Sequence, residues 1–262
     1  MAEKRKIYTA DFKEKIVALY KSDDYTIKRL CAEFGVSSSS VRNWILQSEE
    51  IGTDSSAVPE TLLKGQEVFQ LKISLQYSRP KIWRRVLVPA EMSFLNLHEV
   101  IQYSFGWQDY HLFQFIKDNC FIRVPQGNEY LWGRDEEFDA KKTKIRNWFL
   151  SYGKMTYEYD FGDSWIHSIA LEKAFNRKPN VKYPVCIAGK RACPPEDVGG
   201  MGGYSELLNI MSDPTNEDYE EMCEWATGNT DEPFDPKYFC VEDVNIDLPE
   251  WNWSTKRLKK QQ

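Results

Sequence analysis

Residues 69–77 (FQLKISLQY) alternate strictly between apolar and polar side chains. The apolar members are Phe69, Leu71, Ile73, Leu75 and Tyr77. Because successive side chains of a β-strand point to opposite faces, a period of two indicates a strand with one buried face and one face in water. We therefore predict a half-buried strand here, and a sheet to which it belongs.

The segments that follow mix strands and helices without a regular alternation of the two. Strands are predicted over KIWRRVLVP, HLFQFIKD and CFIRVP, and helices over SFLNLHEVIQYSFGW, KIRNWFL, YSELLNIM and NEDYEEMCEWATG. This mixture favours an α+β domain with a largely antiparallel sheet. The many aromatic residues, nine Trp, fourteen Tyr and fourteen Phe, are suited to fill its core.

The stretch of residues 49–65 loses this periodicity and gathers Gly, Ser, Thr, Asp and Pro, which is typical of a linker. The predicted regions are a small domain at residues 1–48, the linker at 49–65, the α+β domain at 66–250 and a basic, solvated tail at 251–262. Two domains follow from this division.

Residues 8–47 predict three short helices, since apolar residues recur at helical spacing in each. Gly35 is placed to end the second helix. A first helix followed by a helix, a tight turn and another helix is the helix-turn-helix plan. The run KRLCAEFGVSSSSVRNWI resembles the transposase-type helix-turn-helix of insertion elements. This resemblance implies a small all-α domain that binds double-stranded DNA.

In that plan the third helix enters the major groove. The residues expected to face DNA are Ser38, Ser39, Ser40, Arg42 and Asn43, while Val41, Trp44 and Ile45 pack inward. Lys28 and Arg29 are expected to hold backbone phosphates. Arginine and asparagine suit the edges of guanine and adenine, and serine suits phosphates or bases. A single module of this kind binds weakly, so a homodimer or a second contact is implied. The alternative is a trihelical domain that contacts protein.

Charge is divided unevenly along the chain. Residues 1–47 carry nine Lys/Arg against six Asp/Glu, whereas residues 196–250 carry sixteen Asp/Glu and one base, Lys237. The N-terminal region is therefore the expected polyanion contact. The acidic C-terminal half would repel DNA and would suit a basic protein partner.

Two further features concern the cell compartment. No apolar run approaches the roughly 20 residues of a membrane span, so no membrane contact and a cytoplasmic location are expected. The six cysteines are scattered without a C-x-x-C pair and are expected to be free thiols.

Cys186 and Cys193 could bind a metal ion together with a histidine, but no second thiol pair supports such a site.

Four blocks of the larger domain carry a specific resemblance. They are YSRPKIWRRVLVP, HEVIQYSFGWQDYHLFQF, YEYDFGDSWIHSIALEK and YPVCIAGKRACPPEDVGGMGGYSELL. In this order, over residues 66–245, they resemble the signature blocks of the Ri-plasmid ORF-three-like family, whose members are also labelled insertion-element passenger proteins. The resemblance implies an α+β domain associated with plasmids and mobile elements, and no particular biochemical activity.

The third block predicts a hairpin in which Gly162 and Asp163 form a two-residue turn. In that register Glu158 lies across from His167, and Asp160 lies across from Trp165, all on one face. The opposite face carries Tyr157, Tyr159, Phe161 and Ile166. One face of the hairpin would then present two carboxylates, an imidazole and an indole.

That face has three interpretations. The first is an acid–base or metal site made by Glu158, Asp160 and His167, joined by His111 and the Glu196–Asp197 pair from elsewhere. The second is a structural pair of a histidine and a carboxylate. The third is a groove in which an indole stacks on a ligand. His98, within an amphipathic helix, is expected at the surface or at its boundary.

The loop ACPPEDVGGMGGY is dense in proline and glycine. Pro194 and Pro195 fix an extended backbone, and the four glycines permit positive φ or the close approach of another segment. We predict a rigid structural loop that caps the sheet, with Glu196 and Asp197 bonded to backbone amides. As the alternative, the loop presents these two carboxylates to a site.

Three functions are consistent with these patterns. The first is a DNA-binding protein of mobile elements, in which residues 1–48 contact DNA and the α+β domain serves dimerisation, partner docking or ligand sensing; it needs no cofactor. The second is a metal-dependent hydrolase or nuclease, which would require a divalent metal. Its residues would be His111, Glu158, Asp160, Asp163, His167, Glu196 and Asp197. The third is a protein-interaction module with an acidic docking surface.

Overall fold

The computed structural model describes residues 9–21, 25, 27–36, 40–41, 44, 62–125, 136–227, 234–252 and 254–258. The chain forms two compact units, Met1–Ala57 and Val58–Gln262. Their boundary lies inside the stretch that the sequence predicts as a linker. Within the described stretches, no helix combines the length and the apolar character needed to cross a membrane.

The first unit has a small apolar core between helices. Its helices are α1 (Ala10–Lys21) and α2 (Ile27–Phe34), and the helical residues further along are Ser40, Val41 and Trp44. The buried side chains are Ile16, Val17, Leu30, Val36, Val41 and Trp44. Gly35 follows α2 with a φ of 62°, and its amide donates to the Cys31 carbonyl at 3.1 Å. The end of this helix therefore lies where the glycine predicts it.

The second unit is organised around an eight-stranded sheet among its described residues. The strands are β1 (Glu67–Leu75), β2 (Trp83–Pro89), β3 (Phe113–Lys117), β4 (Cys120–Arg123), β5 (Glu136–Asp139), β6 (Lys154–Tyr159), β7 (Trp165–Asn176) and β8 (Val185–Lys190). Their order in space is β5-β4-β3-β6-β7-β1-β2-β8. Every neighbouring pair is antiparallel except β4 with β5. The predicted α+β class with a mainly antiparallel sheet is confirmed.

Five described helices accompany this sheet. They are α3 (Phe94–Phe105), α4 (Ile145–Tyr152), α5 (Gly200–Met211), α6 (Tyr219–Thr227) and α7 (Val241–Asp247). The hydroxyl of Ser93 accepts a hydrogen bond from the Asn96 amide and caps α3, which ends before Gly106 in the left-handed conformation. The helices and one face of the sheet share a single apolar core.

The alternating strand behaves as its pattern indicates. Its core-facing side chains, which are fully buried, are Phe69, Leu71, Ile73 and Leu75. On the opposite face Glu172 of β7 accepts hydrogen bonds from Gln70 at 2.7 Å and from Arg85 at 2.6 and 2.8 Å. Tyr77, the last member of the apolar set, lies beyond the end of β1 and is 73% exposed.

The hairpin between β6 and β7 has a different register from the predicted one. Tyr159 pairs with Trp165, and Tyr157 pairs with His167. The connection is a five-residue loop, residues 160–164, closed by a hydrogen bond of 2.6 Å from the Ser164 amide to the Asp160 carbonyl. A shift of one residue moves every side chain of one strand to the other face. Trp165 and His167 therefore join the tyrosines in the core, and the predicted face with two carboxylates, an imidazole and an indole does not exist.

The C-terminal segment also differs from the predicted solvated tail. Residues 251–258 include a two-stranded hairpin, β9 (Trp251–Asn252) with β10 (Arg257–Leu258). Trp251 is buried, and its amide donates to the Tyr183 carbonyl at 2.6 Å. The ammonium group of Lys256 lies 3.1 Å from a carboxylate oxygen of Glu91. Burial of the Trp251 side chain therefore holds this segment against the rest of the second unit, although basic residues lie close to it in the sequence.

Candidate functional site

Three of the seven predicted site residues converge at one end of the sheet. Nε2 of His111 lies 3.2 Å from Oδ1 of Asp197 and 3.8 Å from Oδ2 of Asp160. One nitrogen or oxygen atom from each of the three side chains lies within 4.8 Å of the others. In the part of the chain that the structure describes, this is the one group of three histidine, cysteine or acidic residues spaced to hold a metal ion. Cys186 and Cys193 do not belong to it.

Asp160 is positioned by the start of the hairpin loop. Its Oδ1 accepts a hydrogen bond from the Gly162 amide at 2.9 Å, and its own amide donates to the Leu112 carbonyl at 2.9 Å. With Oδ1 held in this way, Oδ2 is the oxygen that faces His111. The Asp160 residue has a φ of 55° and is 8% exposed. Its carboxylate is thus held in one orientation, largely out of water.

His111 lies in the loop between α3 and β3. Its ring packs edge-on against Tyr159, with 5.8 Å between the ring centroids. The side chain is 29% exposed, but its Nε2 atom is buried and makes no hydrogen bond. Both nearby carboxylates therefore approach a nitrogen whose lone pair or proton has no hydrogen-bond partner.

Asp197 comes from the proline- and glycine-rich loop, and its side chain is 67% exposed. This loop lies directly against the hairpin loop. The Asp163 carboxylate accepts a hydrogen bond from the Gly199 amide at 3.1 Å. A Cβ atom on Gly200 would lie only 2.5 Å from the Asp163 carbonyl oxygen. A glycine is therefore required for the two loops to meet, and this contact brings Asp197 close to Asp160.

Glu196 anchors the same loop to the sheet rather than joining the cluster. Its carboxylate accepts hydrogen bonds from the Tyr159 hydroxyl at 2.5 Å and from the Gln108 amide at 2.9 Å. Burial, together with this carboxylate, raises the pKa of Tyr159. The indole of Trp107 adds a further bond, to the Pro194 carbonyl at 3.1 Å. The predicted loop that caps the sheet is observed, and Glu196 bonds one backbone amide as predicted.

Replacing Glu196 with alanine is expected to lower the free energy of unfolding by about 1–2 kcal/mol, because the Tyr159 hydroxyl and the Gln108 amide both lose their acceptor. Urea unfolding followed by tryptophan fluorescence measures this change. Glu206→Ala is the matched control, since Glu206 is exposed on α5. Equal stabilities of the two variants would contradict the anchoring role.

The remaining two predicted residues lie apart from the cluster. Glu158 is on the opposite face of β6, where it accepts hydrogen bonds from Gln114 at 2.7 Å and from the Ser164 hydroxyl at 2.8 Å. His167 is fully buried among aromatic rings, and burial lowers the pKa of its imidazole to about 3. Its imidazole therefore stays neutral in the core. Among the described residues, the side chains spaced to share a metal ion with His111 are those of Asp160 and Asp197, so neither Glu158 nor His167 belongs to that group.

The sequence predicts His98 at the surface or at its boundary, but this prediction is wrong, since the side chain is fully buried. Its ring stacks on Phe113 with 3.6 Å between centroids, and its two nitrogens lie 2.8 Å from the Tyr157 hydroxyl and 2.7 Å from Asp109. Gln102 donates to the Tyr157 hydroxyl at 3.1 Å. Tyr157 can then donate to Nδ1 of His98, whose Nε2 proton goes to Asp109. The sequence signal for this network was the spacing of His98 and Gln102 on one helix face.

The predicted DNA-facing residues are only partly described by the structure. Arg29 is exposed on α2, with its guanidinium 4.3 Å from the Tyr25 ring and 3.6 Å from Glu33. Ser40 is helical and half-buried. The residues outside the described part are Ser38, Ser39, Arg42, Asn43 and Ile45, together with the side chain of Lys28.

Comparison with known proteins assigns this chain to a family. A family model described as "Plasmid pRiA4b ORF-3-like protein" matches residues 67–243, more than half of the chain. The chain belongs to the plasmid pRiA4b ORF-3-like family. A second family model, described as "Transposase", matches residues 2–73. The pRiA4b ORF-3-like domain is thus preceded by a transposase-type helix-turn-helix, as the sequence motifs predict.

Two relatives of this pRiA4b ORF-3-like chain cover most of its length. It is 32% identical to the uncharacterized protein y4hQ of Sinorhizobium fredii over 195 residues, which are 74% of this chain and 97% of the relative. It is also similar to the crystal structure of MM3350 of Methanosarcina mazei Go1, a protein of unknown function. That match has a TM-score of 0.61 and 39% identity, and covers 68% of this chain and 97% of the other. These similarities support the fold but do not indicate a biochemical activity.

Proposed function

We propose that this chain is a DNA-binding protein of mobile genetic elements that contacts double-stranded DNA through the helix-turn-helix in residues 1–48. The observation that carries the proposal is the match of the transposase model to residues 2–73. The pRiA4b ORF-3-like domain, named after a plasmid reading frame, supports the same mobile-element setting.

The chemistry of the first unit supports a contact with DNA. Its residues 1–47 have a net charge of +3, and a basic surface attracts the phosphate backbone. Arg29 is exposed and is oriented by its stacking on Tyr25. We assign Lys28 and Arg29 to phosphates, and Ser38, Ser39, Ser40, Arg42 and Asn43 to the groove of the DNA.

For the α+β domain we propose the second contact that a single helix-turn-helix needs. This contact would be the pairing of two chains or the docking of a basic partner. The acidic residues of α6 support docking, because Glu220, Glu221 and Glu224 are exposed on one short helix. A surface of this sign repels DNA, so the domain would act through protein contacts or through a ligand.

Arg42→Ala combined with Asn43→Ala is expected to weaken binding to a labelled pool of duplex DNA by about 30-fold or more, since each of the two lost base contacts costs roughly 1–3 kcal/mol. Fluorescence anisotropy of the full-length protein at two salt concentrations measures the affinity, and the change of affinity with salt measures the contribution of phosphate contacts. Circular dichroism checks that the variant keeps its helices.

Arg123→Ala is the control, because Arg123 lies on β4 of the second unit and pairs there with Glu137. Unchanged affinity of the double variant would overturn the proposed contact. Native and denaturing gels of the same mixtures with Mn²⁺ test the alternative function. Cut DNA would point to a metal-dependent nuclease, whereas retarded but intact DNA supports a binding protein.

A further inference from the structure

We propose that His111, Asp160 and Asp197 bind one divalent transition-metal ion of the Mn²⁺ or Zn²⁺ class. The proposed site lies wholly within the second unit and does not depend on the proposed contact with DNA. Imidazole nitrogen suits Zn²⁺ and related ions, and carboxylate oxygen suits Mn²⁺. One nitrogen and two carboxylates therefore favour a transition metal over Mg²⁺ or Ca²⁺, which prefer oxygen alone.

The spacing of the three side chains fits a common ion. Metal–nitrogen and metal–oxygen bonds of about 2.0–2.2 Å place neighbouring ligand atoms roughly 3–4 Å apart. The two distances from Nε2 of His111, 3.2 Å to Asp197 and 3.8 Å to Asp160, lie in that interval. The three ligand atoms lie within 4.8 Å of one another. A small inward movement of the exposed Asp197 side chain would complete the geometry.

The electrostatics of the cluster also favour a bound cation. Asp160 and Asp197 bring two carboxylates to one nitrogen, and like charges at this separation repel each other. Nε2 of His111 is buried and has no hydrogen bond, which is costly for a polar atom. An ion bound between the three groups would remove both penalties, because it offsets the carboxylate charges and accepts the lone pair of the imidazole.

The surroundings hold the three residues in place from several elements. Oδ1 of Asp160 is occupied by the Gly162 amide, which leaves Oδ2 for the ion. Asp163 and Glu196 fix the loop that carries Asp197. Partners of this kind orient metal ligands in known sites. Because Asp197 is mostly exposed, the site is open to solvent on one side and leaves coordination positions for water or for a ligand, as in catalytic rather than structural metal sites.

Binding of Mn²⁺ to the full-length protein, followed by the electron paramagnetic resonance of the free ion, tests the site. We expect one saturable Mn²⁺ per chain, and about 10-fold or greater weakening in Asp160→Asn and in Asp197→Asn. Mn²⁺ is preferred as the probe because the six cysteines could hold Zn²⁺ elsewhere. Both positions have positive φ, 55° and 59°, which asparagine tolerates, so these variants remove charge without straining the backbone.

Glu158→Gln is the matched control, since Glu158 is a carboxylate of the same hairpin that faces away from the cluster. It should bind Mn²⁺ like the parent protein. Weak binding to acidic surface residues would be the same in all variants. Absence of saturable binding, or equal affinity of the parent and both asparagine variants, would overturn the proposal.

A second measurement keeps the test valid if a variant folds poorly. This measurement is nitrogen NMR of the histidine side chains. The chain has three histidines, so the imidazole nitrogens of the parent protein give few resonances. Titration with Zn²⁺ should shift the Nε2 resonance of His111, which His111→Gln identifies by its loss. His98 and His167 are buried, and their resonances should stay in place. A shift confined to cysteine signals would show that Zn²⁺ binds elsewhere and would count against the site.

Discussion

Gly203→Ala is expected to destabilise the α+β domain by about 2–4 kcal/mol, whereas Gly202→Ala, one residue earlier, is expected to be neutral or stabilising by up to about 1 kcal/mol. Both glycines lie in the first turn of α5. A Cβ atom on Gly203 would lie 1.7 Å from the Val198 carbonyl oxygen, while one on Gly202 has no atom within 4 Å. The backbone must therefore move to accommodate alanine at position 203, but not at position 202.

The physical reason for this contrast is the close approach of the proline- and glycine-rich loop to the helix that follows it. An oxygen of the main chain cannot rotate away as a side chain does, so the loop that carries Asp197 would shift as a whole. Alanine at Gly202 instead removes the conformational freedom that glycine has in the unfolded chain. The pair therefore separates a steric requirement from general helix propensity.

Urea unfolding of the two variants and the parent, read by tryptophan fluorescence, measures the difference. Mn²⁺ affinity of Gly203→Ala provides a second readout, because displacement of the loop would also separate Asp197 from His111. Similar stabilities of the two variants would contradict the observed packing of Gly203 against Val198.

Acidification is expected to destabilise the domain through His167, by about 2.5 kcal/mol between pH 7 and pH 4.5. The imidazole is fully buried, and burial lowers its pKa to about 3 from an ordinary value of 6.5. The backbone of Trp165 and of Tyr157 acts in the opposite direction, and the positive charge of Arg84 acts in the same direction as burial. The neutral form is therefore the one that the folded protein contains.

The sign follows from which state takes up the proton first. Below pH 6.5 the unfolded chain protonates this imidazole, whereas the folded chain does not do so until the pH approaches 3. Stability is thus lost as the pH falls through this interval, with a slope near 1.4 kcal/mol per pH unit. Nδ1 of His167 lies 3.0 Å from the Trp165 carbonyl, and Nε2 has no hydrogen bond in the core. A proton added to Nε2 would find no acceptor there.

His167→Asn isolates this contribution. The amide can still donate to the Trp165 carbonyl, but it cannot take up a proton at these pH values. We expect the variant to be less stable than the parent at pH 7, and to lose less stability on acidification. The free energy of unfolding is measured in urea at several pH values from 7 to 4.5. Since the carboxylates titrate in both proteins, parallel pH profiles would refute the assignment to His167.

The hairpin shows where reasoning from the sequence reached its limit. Both strands were predicted, and the turn residues Gly162 and Asp163 do lie in the connection. However, Asp160 and Ser164 adopt positive φ and close a five-residue loop by their own hydrogen bond. Loop length sets the register of a hairpin, and one residue of error reverses the faces of a strand. The assignment of His167 to a site failed for this reason alone.

The cluster of His111, Asp160 and Asp197 could be predicted as a set of residue types but not as a set of neighbours. All three were candidates, together with four residues that the fold uses otherwise. Asp163 and Glu196 hold the loop by hydrogen bonds, and the other two lie on the far face of the sheet or in the core. Loops separated by tens of residues come together here, and their pairing depends on contacts between backbones that no local pattern records.

The sequence by itself determined the α+β class, the positions of β1–β4, β6, β7 and α1–α6, the transposase-type head and the family of the domain, because apolar periodicity and turn residues act locally and the family's sequence blocks can be recognised in the chain. It did not predict β5, β8, α7 or the C-terminal hairpin. Only the tertiary structure decided which carboxylates approach His111, and that His98 and His167 lie in the core. The reason is burial: whether a polar side chain is covered depends on register and on distant loops. Gly200 and Gly203 allow the close contacts between segments that complete this arrangement.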